Sequence, residues 1–93
     1  MIRSFRNRET QAFFETGASR RLPLDIHKRA AMRLQQLDSA TRIDDLRQPP
    51  SNRLEALKGD LRGRHSVRIN AQWRLCFRFD NGDAYDVEII DYH

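Results

Sequence analysis

The sequence closes on "VEIIDYH", four strand-forming residues followed by Asp91, Tyr92 and His93. An acid, a phenol and an imidazole at the end of a strand are suitable parts for cutting RNA without a metal. That reaction needs a base to help a 2′-hydroxyl attack the adjacent phosphate, and an acid to protonate the leaving 5′-oxygen. It also needs fixed positive groups to stabilise the charge that develops on phosphorus. His93 is the natural proton-transfer group. Its own α-carboxylate and Asp91 are nearby anions that favour the imidazolium. Tyr92 could position or transfer a proton, or stack on a base. Taken alone, such a triplet at a chain end is explained more simply as a polar terminus.

The cations the chemistry needs lie upstream. From Leu61 to Phe79 there are five arginines (62, 64, 68, 74 and 78) and no acid, and from Asp80 to Asp91 there are five acids and no base. Two arrangements explain this segregation. Arg78 and Arg68 can pair across strands with Asp86 and Glu88, or an Arg-lined sheet face can hold phosphates with its rigid forks of donors. The two are compatible for different arginines. Arg74 is assigned to phosphate, and Arg78 is left open between the two. Trp73 follows the alternation of core residues, which favours packing over base stacking.

Other chemistries find little support. His27, His65 and His93 are dispersed and the acids show no ligand spacing, so no metal site is expected. "KGDLRG" has glycines but no Lys-Ser/Thr or helix behind it, so it is not a phosphate loop. His27 falls in the charged early turns of a helix and reads as a surface residue, and His65 reads as a polar residue at a strand edge. A single cysteine, Cys76, excludes an internal disulfide. Within "WRLCFRF" it reads as a packed thiol in a reducing compartment.

These residues need elements to position them. "MIRSF" predicts a first strand. "RETQAFFETG" predicts a helix stopped by Gly17. "PLDIHKRAAMRLQQLDSA" predicts a second helix, with Pro23 in its first turn and Asp25 near its positive end. Ile26, Ala30, Leu34 and Leu37 form its apolar stripe, with Lys28, Arg29 and Arg33 off that stripe. "TRIDDLRQPPSN" allows one short helical turn before Pro49 and Pro50 break it. From Asn52 the period changes to two. "NRLEAL" is a possible short strand, while "HSVRIN" and "WRLCFRF" alternate. "DNGD" is a hairpin turn, because Asn-Gly accepts positive φ at both central positions. "AYDVEIIDYH" forms the last strand, with Tyr85, Val87 and Ile89 expected on one face. Short connections make the strands antiparallel neighbours. The expected fold is α+β, with helices on one face of the sheet and Arg68, Arg74 and Arg78 on the other.

With 93 residues the chain is expected to be one domain, residues 1–93. Seventeen Lys and Arg against thirteen Asp and Glu give a net charge of +4. That balance favours an anionic partner, nucleic acid first, then an acidic protein, then a membrane surface. No stretch approaches the roughly 20 apolar residues of a membrane span, and the N-terminus lacks an apolar signal core. A soluble, intracellular protein is expected.

The ordered set from Asn52 onward resembles the HigB-type toxins of bacterial type II toxin–antitoxin systems, also called plasmid maintenance killer proteins, within the RelE/ParE superfamily. The resemblance rests on the opening "MIRSF", on Arg53-Leu54, Leu57, Gly59-Asp60, Gly63, Ser66, Arg68-Ile69-Asn70, Gln72-Trp73-Arg74 and Phe77, and on the terminal "DYH". It covers essentially the whole chain and is specific in combination. It implies a RelE/ParE-like fold, with two N-terminal helices packed on one face of a twisted, mainly antiparallel sheet of four to five strands. It further implies a metal-independent, cytoplasmic endoribonuclease, an mRNA interferase that enters the A site of the 70S ribosome and cuts messenger RNA during translation. No cofactor and no membrane are implied. The implied partner is a HigA-type helix-turn-helix antitoxin, through which alone operator DNA would be engaged.

By the same resemblance Asp91, Tyr92 and His93 match the functional C-terminus of the family, and the triplet becomes catalytic rather than incidental. Arg74 matches a phosphate-contacting arginine and Lys58 a basic residue at the cleft. Glu55 stands where some members carry His and is a candidate base. Arg64 and Arg68 are RNA-facing candidates on charge and alternation. The rival functions are a toxin of the same fold acting on another target such as gyrase, a non-catalytic RNA- or ribosome-binding inhibitor, and a purely structural partner of a DNA-binding protein.

Overall fold

The computed structural model describes residues 1–91, and the expectations for Tyr92 and His93 fall outside the described residues. Helix α1 spans Arg8–Thr16. The Asn7 side chain accepts from the Thr10 N–H at its start, and Gly17 ends it at φ 77°, a left-handed conformation open to glycine without strain. The second predicted helix divides. Leu24–Ile26 form a 3-10 turn behind Pro23, and α2 then runs from His27 to Ser39. Further 3-10 turns at Ile43–Arg47 and Pro50–Asn52 replace the single turn expected there.

The sheet contains β1 (Glu55–Ala56), β2 (His65–Arg68), β3 (Trp73–Asp80) and β4 (Asp83–Asp91), in that spatial order and all antiparallel. Asn81 and Gly82 take φ 51° and 85° at the β3–β4 turn, as the Asn-Gly pair requires. The expected strand at "MIRSF" is only a ragged ribbon. Residues 1–6 lie parallel to β4 with bridges at Ile2–Ala84 and Phe5–Val87. Between those bridges β4 bulges, which prevents a continuous ladder.

The bulge also corrects the expected face of Tyr85. Between Cys76 and Arg78 the register shifts by one residue, and Asp86 sits at φ 52°. An extra residue sends the side chains on either side of it to different faces than simple alternation predicts. Ala84, fully buried, therefore joins Val87 and Ile89 on the helix-facing side, while Tyr85 lies opposite Arg78 on the outer face.

The helix-facing side of the sheet presents Val67, Leu75, Phe77, Ala84, Val87 and Ile89 to Phe13 of α1 and to Ala30, Leu34 and Leu37 of α2. The predicted stripe of α2 is buried throughout. Trp73 and Phe79 are partly buried against this core, as packing residues should be. Arg33, expected off the stripe, is 6% exposed. His27, expected at the surface, is half-buried, with its ring edge on Phe13 at 5.1 Å and Nε2 at 3.0 Å from the Leu22 carbonyl. It fastens the start of α2 to α1.

Candidate active site

The outer face of the sheet is built in rungs. Register places Glu55, Ser66, Cys76 and Glu88 across one rung, and Arg68, Arg74 and Ile90 across the next. Asp91 pairs with Trp73 one position further on, so β4 ends beside the arginine rung. Strand alternation thus gathers Arg68, Arg74 and the root of the C-terminal triplet at one end of the sheet.

Arg74 is the centre of this end. It is 8% exposed, and its Nε donates to the Ser66 hydroxyl at 2.8 Å. One terminal nitrogen donates to the Arg53 carbonyl at 2.7 Å, and the Glu55 carboxylate lies 3.9 Å away. Arg53 turns its carbonyl toward the guanidinium from a left-handed conformation at φ 44°, an arrangement costing an L-residue about 1–2 kcal/mol. A guanidinium so held is a fixed donor array, and little entropy remains to be lost when an anion binds it.

Arg68 stands directly across from Arg74 on the same face. Like charges in this relation repel. Arg68 has no ion pair with another described residue. Arg53, Glu55, Arg68, Asn70, Ala71 and Arg74 line an open cleft of about 410 Å³. Among the described lining residues three guanidinium groups stand against one carboxylate, which suits an anion, and a bound phosphate would offset the Arg68–Arg74 repulsion.

Asp91 is held by the β2–β3 turn. The Asn70 side-chain oxygen accepts from the Gln72 and Trp73 amides, both at 2.8 Å. The Gln72 side chain then donates to the Asp91 carboxylate at 3.0 Å. The turn that lines the cleft therefore also orients the end of β4.

The remaining sequence candidates are placed differently. Glu55 lines the cleft on the edge strand, with its side chain 49% exposed. Lys58 is exposed just before the 3-10 turn Gly59–Leu61 and does not line the cleft. Arg64 is buried, and its guanidinium donates to the Asp86 carbonyl at 2.8 Å and the Glu88 carboxylate at 3.3 Å. Arg78, left open by the sequence, is paired. It lies 3.9 Å from Asp86 and 4.5 Å above the Tyr85 ring. Glu88 takes Arg64 and Arg6 as partners instead of Arg68.

Arg53, Ser66 and Asn70 were missed as site residues. Ser66 carried a signal, since a small polar residue on the arginine-bearing side of an alternating strand is a natural hydrogen-bond partner. The Arg53 conformation leaves no such trace.

The other ionisable groups are structural. Burial pushes the Cys76 thiol up to about 11, which keeps it protonated and unreactive. His65 turns to the helix side and stacks on Phe77 at 6.3 Å. Burial, and to a lesser degree Arg47, lower its pKa. Among the described residues no group of three His, Cys, Asp or Glu is placed to hold a metal ion. Among them, too, no helix is long and apolar enough to cross a membrane.

Two helices over a four-stranded antiparallel sheet are the layout of the RelE-type toxin fold. The YoeB–YefM complex from Staphylococcus aureus superposes at a TM-score of 0.61 with 18% identity, covering 100% of this chain and 98% of that one. A mutant of YafQ from E. coli gives 0.62 at 11% identity, covering 98% and 93%. Residues 3–93 match the family described as the RelE-like toxin of type II toxin–antitoxin system HigB, and the chain belongs to that family. It is 40% identical over 93 residues to a Proteus vulgaris protein named Endoribonuclease HigB, covering the whole of both chains. It is 39% identical over 94 residues to Toxin HigB-1 of Vibrio cholerae, covering 100% of this chain and 98% of that one.

Proposed function

We propose that this toxin is a metal-independent endoribonuclease that cuts messenger RNA in the A site of the translating ribosome and so arrests translation. The observation that carries the reading is Arg74, buried and held by Ser66 and Arg53, directly opposite Arg68 in an open cleft beside the end of β4. The scissile phosphate sits on Arg74 and Arg68. The 2′-oxygen attacks phosphorus while Glu55, on the rim of the cleft, takes its proton. The 5′-oxygen leaves with a proton from His93, and a 2′,3′-cyclic phosphate remains. Asp91 tunes His93, and Tyr92 holds the RNA. Lys58 stands outside the lining and adds to the positive field that draws the chain in. Arg64 acts on the sheet rather than on RNA.

The partner is a HigA-type antitoxin, and operator DNA is reached only through it. The toxin works in the cytoplasm, where messages are translated. The test is to map message 5′ ends in a translating bacterial extract, with the native chain, Arg74→Ala and His93→Ala. New ends at in-frame codon positions, lost in both variants, support the reading. Intact messages with translation arrested would replace it with a non-catalytic ribosome blocker. Intact messages with supercoiling blocked would point to gyrase.

A further inference from the structure

Beside the cleft just described lies a second one, also of about 410 Å³, at the start of α2. Asn70 lines both, so the two are joined over a single side chain. The second cleft is chemically distinct from the first. Its exposed apolar surface comes from Met32, 56% exposed and one of few large apolar side chains left in solvent among the described residues, with Ile26 and Ile69 buried beneath it. Its rim carries the exposed Lys28 and Arg29, with Asp25 the only acid among the described residues there. Arg29 reaches back to the Ile69 carbonyl at 3.4 Å, which keeps its charge over the cleft.

An exposed apolar side chain beside two cations suits a nucleotide, whose base can leave water against Met32 and whose phosphate seeks positive charge. The volume falls within the range of small-ligand sites. An endonuclease substrate is a polymer that must leave the catalytic cleft on both sides, and the passage over Asn70 is an electropositive way out. We propose that this second cleft binds the nucleotide flanking the cut codon, with the base on Met32 and its phosphate at Lys28 and Arg29. The proposal rests on the reading of the first cleft as the cutting site. On the ribosome the upstream message is held by codon pairing in the neighbouring site, so the flank concerned is the downstream one.

Two messages separate the possibilities, one ending at the cut codon and one continuing several nucleotides beyond it. Cleavage on programmed ribosomes is measured against toxin concentration. The native chain should half-saturate at about tenfold lower concentration on the longer message, the scale of one added nucleotide contact of about 1.4 kcal/mol. Lys28→Glu and Met32→Glu should each remove most of that preference, and Lys28→Arg should retain it. Both residues are exposed, and melting curves confirm that the variants are folded. A native chain that cuts both messages with equal half-saturation overturns the subsite and leaves the ribonuclease reading intact. Variants that lose cutting equally on both messages also overturn it, and would assign these residues to ribosomal RNA or to the fold. If the native chain cuts neither message, the cutting-site reading fails and the subsite fails with it.

Discussion

Arg74 Nε donates to Ser66 Oγ at 2.8 Å with both side chains buried on the outer face of the sheet. The bond fixes where the guanidinium points, and a fixed charge stabilises a transition state at little reorganisation cost. Ser66→Ala leaves a buried N–H without its partner, at a cost of about 1–3 kcal/mol. It should lower the urea midpoint and reduce turnover on programmed ribosomes about tenfold. Arg74→Ala should cost about a hundredfold or more, the scale of losing one transition-state donor. A Ser66→Ala chain with native stability and native turnover would refute the role given to this pair.

Arg64 tests the division between arginines that face RNA and arginines that hold the fold. Its side chain is 10% exposed and that of Glu88 17%. Removing one partner of a buried pair strands the other charge. Arg64 keeps the Asp86 carbonyl and Glu88 keeps Arg6 at 3.3 Å, so each retains partial compensation. Glu88→Gln should therefore cost about 2 kcal/mol, below the roughly 3–5 kcal/mol of a fully stranded charge. Arg64→Met should destabilise by a similar amount, and the double variant should show coupling above about 1 kcal/mol. If Arg64→Met melted like the native chain but bound RNA with a weaker salt dependence, Arg64 would be an RNA contact after all.

Regular periodicity made most of this fold legible. Ile26, Ala30, Leu34 and Leu37 declared α2 and its buried stripe, and Asn81-Gly82 declared the last hairpin. What alternation could not reveal was its own interruption. The Asp86 bulge moves Tyr85 across the sheet and converts an expected first strand into two isolated bridges. Nothing local announces it, because an aspartate tolerates positive φ without requiring it. The same limit applied to the site. Arg74 and Arg68 were recognisable from charge and strand period. Which arginines would be consumed inside the protein depended on carbonyls such as those of Asp86 and Arg68, and backbone acceptors are the same in every sequence.

Arg33 shows the consequence of such an acceptor. Its Nε donates to the Arg68 carbonyl at 2.8 Å from inside the α2 interface. Burial first, and neighbouring Arg29 second, lower its pKa, as expected for a cation drawn out of water. The contact holds the end of β2, from which the turn bearing Asn70 and Gln72 leads to Asp91. Arg33→Met keeps the aliphatic packing and removes the donor. It should destabilise by about 1–3 kcal/mol and lower kcat more than it raises KM, because the turn sets catalytic geometry. Hydrogen exchange should speed up at residues 69–73 specifically. Uniformly faster exchange throughout the chain, with an unchanged ratio of kcat to KM losses, would reduce Arg33 to a general packing residue.

His65 gives the stability of the fold a definite pH dependence. The ring lies on the Phe77 side of β2, and burial followed by Arg47 lowers its pKa from the ordinary value of 6.5. The unfolded chain therefore binds a proton at a higher pH than the folded chain does. Its contribution to stability is complete above about 6.5, where both states are neutral. It is lost as the pH falls from there through the lowered folded value. The urea midpoint should drop between pH 7.5 and pH 5.5, with the slope of ΔG against pH set by proton uptake on unfolding. His65→Phe cannot titrate and keeps a ring against Phe77. It should flatten that part of the profile, leaving only what the other groups contribute. A His65→Phe chain whose midpoint fell as steeply as the native one would show that the pH dependence arises elsewhere.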